Sequence, residues 1–348
     1  MRMTTIVIIF LCNVRIWINR LLGNKFNLLP YKVLLNLTNN CNSKCVSCDI
    51  WKISDFKNEI TLDNILGTFD SMGPSLVWLA LSGGEVTLVK YVDSMLEEAR
   101  KRCSNLKLVS FTTNALLPLK VKRLAEKVIE NGFDLLVTIS LDGDKNLHDR
   151  VRGVPGNYDK CIALYDDLKK MGVNVNYGIT VSSENKDFIQ NEYHKMRHSI
   201  KAVTFVHDGG IYMKTNEVDN KPILDSLRHI VKNYSIDSIS EIIEYIHLKI
   251  STYYLLLERR TNIIPCEVLY TSDHVMPDGG VHPCMYLNKI GNIKDDKIND
   301  VLFSKEAHHL RRQIKKDNCP HCWLNCYSPY SIMQHPLKSI VYLLKRIA

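Results

Sequence analysis

The sequence lacks most of the features that would place a chain of 348 residues in a special class. It holds no internal repeat and no low-complexity tract, which excludes solenoids, repeat arrays and unstructured linkers. It lacks a basic stripe: 45 Lys and Arg against 37 Asp and Glu leave a formal charge of +8, but the cations are scattered, so no nucleic acid partner is expected. Eleven cysteines are too few for a disulfide scaffold of this length, and an odd number clustered at short intervals points to metal ligation in a reducing, cytoplasmic compartment. A long apolar run is missing too. Thr4 to Cys12 is largely apolar but only nine residues long, too short to span a bilayer. Asn13, Arg15, Asn19 and Arg20 follow it, and no small-residue cleavage site precedes Gly23, which argues against a secretion signal. What remains is the balance of a soluble globular protein, 45% hydrophobic and 24% charged, long enough for one large domain or two moderate ones.

The two ends share a character. Trp17, Ile18, Leu21 and Leu22 beside Arg15 and Arg20 make residues 1–30 an amphipathic segment, and Leu337 to Ile347, with Lys338, Lys345 and Arg346, repeats the pattern within residues 331–348. The expectation is that both helices pack on the protein body, with peripheral membrane contact as the alternative. Between them, strand-like runs alternate with helical patterns. The runs Val33 to Leu37, Leu76 to Leu81, Lys107 to Phe111, Leu135 to Ile139, Val173 to Ile179 and Ala202 to Val206 read as six strands. Val92, Met95, Leu96 and Ala99 keep helical spacing, as do Val121, Leu124, Ala125, Val128 and Ile129 before Asn131-Gly132, and a further helix runs from Tyr158 to Met171. Such alternation implies a parallel sheet, either open and doubly wound or an incomplete barrel, with the chemistry at the strands' C-terminal ends.

Residues 216–262 read as a helical connector. Polar residues from Thr215 to Lys221 precede a helix that starts at Ser238, with Glu241 completing a capping box. Ile239, Ile242, Ile243, Ile246, Ile250, Tyr253, Tyr254 and Leu257 form its core-facing stripe. Residues 263–330, loop-rich and cysteine-bearing, read as a small metal-stapled domain.

The central motif is Asn40-Cys41-Asn42-Ser43-Lys44-Cys45-Val46-Ser47-Cys48, just after the first expected strand. Three thiolates on one loop can hold three irons of a cubane cluster. A structural zinc site normally wants four protein ligands, and no fourth Cys or His lies near, whereas a cluster with one open iron can bind a substrate or cofactor there. Half of a zinc site, or three unrelated thiols, is the bland alternative.

Cys41, Cys45 and Cys48 after one strand, followed by Ser82-Gly83-Gly84-Glu85 after the next, resemble the radical S-adenosylmethionine (SAM) enzymes, and the resemblance covers most of the chain. It implies an incomplete six-stranded βα barrel over residues 31–215, a [4Fe-4S] cluster on the three cysteines and SAM on the open iron. It also implies reductive cleavage of SAM to a 5′-deoxyadenosyl radical that takes a hydrogen atom from the substrate, fed by a reducing partner such as ferredoxin or flavodoxin. The same resemblance assigns SAM contacts. Gly83 and Gly84 would let backbone approach the ligand, and Glu85 or the neighbouring carbonyls would meet the methionine ammonium. Asn114 in Thr112-Thr113-Asn114, and Ser140 and Asp142 in Ser140-Leu141-Asp142-Gly143, stand at the same end of the sheet, with Ser140 the ribose candidate. Arg152 would clamp the SAM carboxylate, although Asp142-Gly143 could be a plain turn and His148-Asp149-Arg150 with Arg152 a solvated face. Two positions depart from the family pattern. Ser47 stands where an aromatic residue often precedes the third cysteine, and Val86 where a proline often follows Gly-Gly-Glu. Ile50 and Trp51 are candidates to pack on adenine in place of an aromatic residue at 47, with simple core the expectation for Trp51.

A second constellation comprises Cys266, then Gly279-Gly280-Val281-His282-Pro283-Cys284, then Cys319-Pro320-His321-Cys322-Trp323-Leu324-Asn325-Cys326. It looks like the C-terminal auxiliary-cluster extensions called SPASM and twitch domains, with a four-cysteine zinc ribbon as the alternative. Too few cysteines remain for two auxiliary clusters. One is expected, held by Cys266, Cys284, Cys319 and Cys322, with Cys326 as the alternative fourth ligand, provided that Gly279-Gly280 folds the chain back as a hairpin. Cys12, Cys103 and Cys161 stand alone and read as buried apolar thiols.

The expected function is a radical SAM oxidoreductase or modifying enzyme acting on a small-molecule, sugar or lipid-linked substrate. A peptide-maturing role is the alternative, set lower because about thirty residues before the first strand are too few for a peptide-binding winged helix. A non-enzymatic iron-sulphur or zinc-binding protein is the remaining reading. No general base is assignable; His207-Asp208 lies at the right end of the sixth strand but reads as a turn.

Overall fold

The computed structural model describes residues 2–207, 209, 218–236, 238–258 and 263–345. A helix, α1 (Met3–Leu21), leads into six strand–helix units. These are β1 (Lys32–Asn36) with α2 (Leu62–Met72), β2 (Trp78–Ser82) with α3 (Val92–Arg102), β3 (Leu108–Thr113) with α4 (Pro118–Glu130) and β4 (Asp134–Ser140) with α5 (Lys145–Arg152) and α6 (Asn157–Lys170). The series continues through β5 (Asn174–Val181), the short α7 (Lys186–Asn191) and α8 (Tyr193–Met196), and β6 (Ile200–Phe205). Every strand ends within two residues of its expected limits, because each apolar run is bounded by a turn or cap that stops the extended chain. All six pair in parallel and in sequence order, and they form the expected partial barrel. Val33, Leu35, Leu79, Leu81, Val109 and Phe111 point outward and pack with Phe69, Met72, Met95 and Leu96 of the surrounding helices. By the two-residue period of a strand, the opposite face is the lumen, and its upper residues are Ser82, Thr112, Ser140, Thr180 and Thr204.

Three expectations need correction. First, the apolar run and amphipathic stretch at the N-terminus form one 19-residue helix, long and apolar enough by length and composition to cross a membrane (mean hydropathy 1.4). Second, the connector holds a further helix ahead of Ser238: α9 (Asn220–Asn233) buries Ile223, Leu227, Ile230 and Val231. Pro222 sits in its first turn, where a missing N–H costs nothing. Third, α10 (Ile239–Leu256) is more than a connector with one apolar stripe. It is buried on every side from Ile246 to Thr252, His247, Lys249 and Ser251 included, while Leu257 beyond it is exposed. Glu241, expected in a capping box, pairs with Lys201 at 2.7 Å, and Ser238 makes no side-chain cap. Helix α10 joins barrel to C-terminal region: Glu244 accepts from Val203 N (3.1 Å), and the His247 carbonyl accepts from Trp323 Nε1 (3.1 Å).

The C-terminal region also departs from a separate stapled domain. Strand β7 (Ser272–Val275) adds to β1 in parallel, and β8 (Gly280–His282) and β9 (Gly291–Asn292) follow antiparallel, so that among the described residues one nine-stranded sheet runs β6-β5-β4-β3-β2-β1-β7-β8-β9. Helices α11 (Ile298–Leu302), α12 (Lys305–Lys315), α13 (Ser328–Gln334) and α14 (Pro336–Leu344) complete the chain.

Candidate iron-sulphur and cofactor sites

The cysteine loop follows β1 and is stitched to the end of β2. Gly84 N donates to the Thr38 carbonyl (2.7 Å) and Glu85 N to that of Asn40 (2.9 Å). A Cβ on Gly84 would stand 2.0 Å from the Asn40 oxygen, and one on Gly83, whose φ is +123°, 2.4 Å from that of Thr38. Both glycines line the cavity, but their smallness is required first by the cysteine loop and only then by any ligand. From the other side, Lys44 N and Ser43 Oγ donate to the Arg152 carbonyl (3.0 and 2.9 Å), and Val46 N donates to Val151 (2.9 Å). Trp51 lines the cavity rather than the core and donates Nε1 to the Cys45 carbonyl (3.3 Å).

The thiols sit in a pocket made for anionic sulphur. Burial pushes Cys41 up to about 11 and raises Cys48 as well, so a metal must displace the protons of these two thiols. Arg152 Nη1 lies 3.6 Å from Cys45 Sγ, and Asn114 Nδ2 3.9 Å from Cys41 Sγ. Three sulphurs on one loop, backed by a guanidinium and an amide donor, fit a cluster that lacks one protein ligand.

The expected SAM residues divide. Gly83, Gly84, Glu85, Asn114, Ser140 and Arg152 all line a cavity of about 310 Å³ with the three cysteines; Asp142 does not. Glu85 is a brace, not a free acceptor for an ammonium: one oxygen accepts from Thr87 Oγ1 (2.8 Å) and Thr113 Oγ1 (2.9 Å), the other from Asn114 N (2.9 Å). Burial raises its pKa, and these bonds offset part of the rise. Asn114 holds the loop through Asn42 Oδ1 (2.8 Å). Asp142 is the counter-ion of Arg152 (2.7 Å) and accepts from Thr180 N (3.0 Å). Although burial opposes its charge, Arg152 is held protonated by Asp142 and Cys45, and its guanidinium is aimed at the thiol rather than held out to clamp a carboxylate. His148 is no solvated face: it is fully buried, bonded to Asn157 Oδ1 (3.1 Å), and kept neutral by burial and by Arg152. Ser140 remains a hydroxyl on the lumen wall.

The second constellation converges through the hairpin that the glycines were expected to make. Gly279, with φ +86°, turns β7 into β8, and Met276 N donates to Gly280 O (2.9 Å). Five thiols meet in one apolar cluster with Val268, Ile314, Leu324 and Tyr327. Cys322 lies within electrostatic reach of Cys284, Cys266, Cys326 and Cys319, and burial raises it well above its ordinary value. Cys319 and Cys326 are both half-buried: the sulphur of Cys319 lies within 4.8 Å of ligand atoms of Asp317 and His321, whereas Cys326 faces Lys32. Lys32, with its cation 4.4 Å from the Trp78 ring centroid and 4.7 Å from that of Tyr330, forms no ion pair among the described carboxylates. Of the three lone cysteines, Cys103 and Cys161 are buried as expected, while Cys12, itself a residue of α1, is half-buried.

The two sites share a wall. His207 and Met285, the latter next to Cys284, complete the cavity above the cysteine loop. His207 is buried and stacks on Phe205 at 4.4 Å, which a reading of His207-Asp208 as a turn did not foresee; Asp208 lies outside the described residues. The radical SAM superfamily model matches residues 35–195, and the model of the SPASM iron-sulfur cluster-binding domain matches residues 266–327. This chain carries a radical SAM domain followed by a C-terminal SPASM domain. It is similar to pre-heme d1 synthase of Dinoroseobacter shibae, 32% identical over 161 residues, a match that spans 44% of this chain and only 37% of the relative's length. The sporulation killing factor maturation protein SkfB of Bacillus subtilis is 21% identical over 308 residues, 85% of this chain and 70% of that protein. In fold it is similar to anSMEcpe with bound AdoMet (TM-score 0.62, 20% identity), which covers 91% of this chain and 100% of that one. The radical SAM domain implies a [4Fe-4S] cluster with SAM, and the SPASM domain implies a further iron-sulphur site.

Proposed function

We propose that the enzyme oxidises or modifies one compact substrate, a small molecule, a sugar or a lipid-linked group, held between its two iron-sulphur sites. The cavity carries the reading: its 310 Å³ reach from Cys41, Cys45 and Cys48 to His207 and Met285, and a second cavity of about 300 Å³ adjoins it along Ser47, Thr180 and Val206. That is room for a nucleoside and a small molecule side by side. Cys41, Cys45 and Cys48 would hold the catalytic cluster, with the hydroxyls of Ser140 and Thr180 facing the SAM nucleoside. Cys266, Cys284, Cys322 and either Cys319 or Cys326 would hold one auxiliary cluster. When bound, the catalytic cluster and SAM supply a radical able to take a hydrogen atom from the substrate. The chain's own part is to orient: Arg152 and Asn114 set the sulphurs, Glu85 ties the ends of β2 and β3, and Trp51 and Ile50 wall the site against water. Eleven free cysteines support a reducing, cytoplasmic setting with an external reductant such as ferredoxin or flavodoxin.

The test is anaerobic incubation of the enzyme with SAM, reductant and size-fractionated extract of its own cell, reading 5′-deoxyadenosine and product masses. Stimulation by a fraction below about 1 kDa supports the reading, and stimulation by peptides alone overturns it. Peptide maturation is the second reading, favoured by the likeness to SkfB over most of this chain.

A further inference from the structure

Helix α1 is inside out. The side chains it turns to the protein are Thr5, Ile9, Asn13, Ile16 and Asn19, three of the five polar. Those it turns to solvent include Phe10, Leu11, Trp17, Ile18, Leu21 and Leu22, each between 48% and 67% exposed. A soluble surface helix has the opposite arrangement. Both asparagines of the stripe are hydrogen-bonded: Asn13 Nδ2 donates to Tyr31 Oη (2.9 Å), Gln334 Nε2 donates to Asn13 Oδ1 (2.9 Å), and Asn19 exchanges two 2.9 Å bonds with Phe26. Arg20 pairs with Glu267, and Arg2 with Asp134. The helix is therefore docked by design, and its apolar face is left outward.

That face continues onto α14, which begins one residue after His335, itself bonded to the Glu267 that holds Arg20. Helix α14 exposes Leu337, Ile340, Val341 and Leu344. Most of the large apolar side chains exposed among the described residues lie on these two helices and the turn after α1. The two helices themselves carry charge of one sign, and the carboxylates that reach them, Glu267 and Asp134, are taken up by Arg20 and Arg2. No acidic residue occurs before Asp49 or after Asp317, whereas Arg15, Lys25, Lys338 and Lys345 are exposed beside the apolar rows. Outward leucines, isoleucines and a tryptophan, rimmed by cations alone, complement an acyl layer under anionic headgroups.

We infer that the enzyme sits on an anionic membrane surface through the outer face of α1, extended by α14. The placement orients the catalytic machinery. Helix α1 crosses the strands' N-terminal ends, touching Tyr31 before β1, Val77 before β2, Leu108 in β3 and Asp134 in β4. The cysteine loop and cavity lie at the C-terminal ends, one strand length or roughly 20 Å further from the lipid. The active site therefore faces the aqueous side, and of the substrates under the proposed function the water-soluble ones fit and the lipid-linked group does not. This last step rests on that reading; membrane attachment itself does not.

The test is flotation of the full-length, cluster-loaded enzyme with phosphatidylcholine vesicles containing 40% phosphatidylglycerol, compared with pure phosphatidylcholine. Binding to the anionic vesicles is expected, weakened by 0.5 M salt, together with a blue shift of Trp17 emission that is lost in Trp17→Phe. The variant Phe10→Gln/Leu11→Gln/Ile18→Gln changes only outward positions; it should lose binding at least tenfold while keeping its cluster absorbance and SAM cleavage. Arg15→Glu/Lys25→Glu should weaken binding to anionic vesicles only. No flotation of wild type, or equal flotation of the triple variant, overturns the inference. So does a detergent-free dimer that the triple variant dissolves, since a second copy would then cover the face. Each outcome is read without substrate, so it stands or falls apart from the proposed function.

Discussion

The first cysteine site draws its three thiols from eight consecutive residues, Cys41 to Cys48, whereas the second gathers five thiols from the 61 residues between Cys266 and Cys326. The first is held by backbone bonds to two neighbouring strand ends, so its geometry comes with the barrel. The second depends on a hairpin, the strand β7 added beside β1 and the turn before α13, so its geometry comes with the docking of a whole region. Loop closure over a few residues costs little entropy, and closure over tens of residues costs more and must be offset by packing. Locally built and remotely assembled sites should therefore respond differently to substitution.

The sharpest contrast is between removal of one site and the other. Replacing Cys41, Cys45 and Cys48 together by alanine should abolish 5′-deoxyadenosine formation and lower iron from about eight to about four per chain, with the C-terminal irons retained. Replacing Cys266 and Cys284 should likewise leave about four irons and end turnover, yet preserve some reductive SAM cleavage. Iron analysis and chromatography of the cleavage product check both; about twelve irons in wild type would reveal a second auxiliary cluster, and stoichiometric zinc with about four irons would make the C-terminal site a structural staple.

Next in size is Gly84→Val. Because the added Cβ meets the Asn40 carbonyl, the variant should lose the loop's cluster itself, and SAM affinity should fall by an order of magnitude or more. Calorimetry with SAM and iron analysis on the same preparation separate this from a simple obstruction of the ligand; a fully loaded cluster with weak SAM binding would restore the simpler account.

A smaller effect is expected at Lys32, whose buried cation faces Cys326. Lys32→Met should lower the reduction potential of the auxiliary cluster by tens of millivolts and leave that of the first cluster unchanged, read by electron paramagnetic resonance during redox titration. An unchanged auxiliary signal would place Cys326 outside the ligand set and favour Cys319.

The smallest concerns the β7 edge that joins the two sites. Asp273 is fully buried, its carboxylate oxygens have no hydrogen-bond partner among the described residues, and burial pushes it up to about 7. With an unfolded value near 4, the folded state holds a proton that the unfolded state has lost, so stability falls as pH rises from about 4 to about 7. Asp273→Asn should melt with wild type near pH 4 and a few degrees higher at pH 8, a comparison made by thermal denaturation.

Much of the barrel was legible because its signals are local. Six apolar runs with turn punctuation became six strands in order, and three cysteines in eight residues kept their meaning wherever the loop was placed. The site residues were less so. Glu85, Asp142 and Arg152 read as cofactor ligands because their positions match a family pattern, but their partners, Thr113, Thr180 and Cys45, are distant in sequence. His207 carried no local signal beyond standing at a strand end, and α9 was not assigned from the sequence.

By itself the sequence determined the chemistry: the ligand spacing of Cys41, Cys45 and Cys48, the Gly83-Gly84 step beside them, and the supply of thiols after Cys266 are properties of short segments, set by covalent distance and backbone sterics. Only the tertiary structure decided which of those residues line the cavity and which brace the loop, how the C-terminal hairpin became part of the barrel sheet, and which way α1 faces. Helical period alone assigns apolar side chains to the core; in α1 the hydrogen bonds of Asn13 and Asn19 to distant partners outweighed it and turned the apolar face outward.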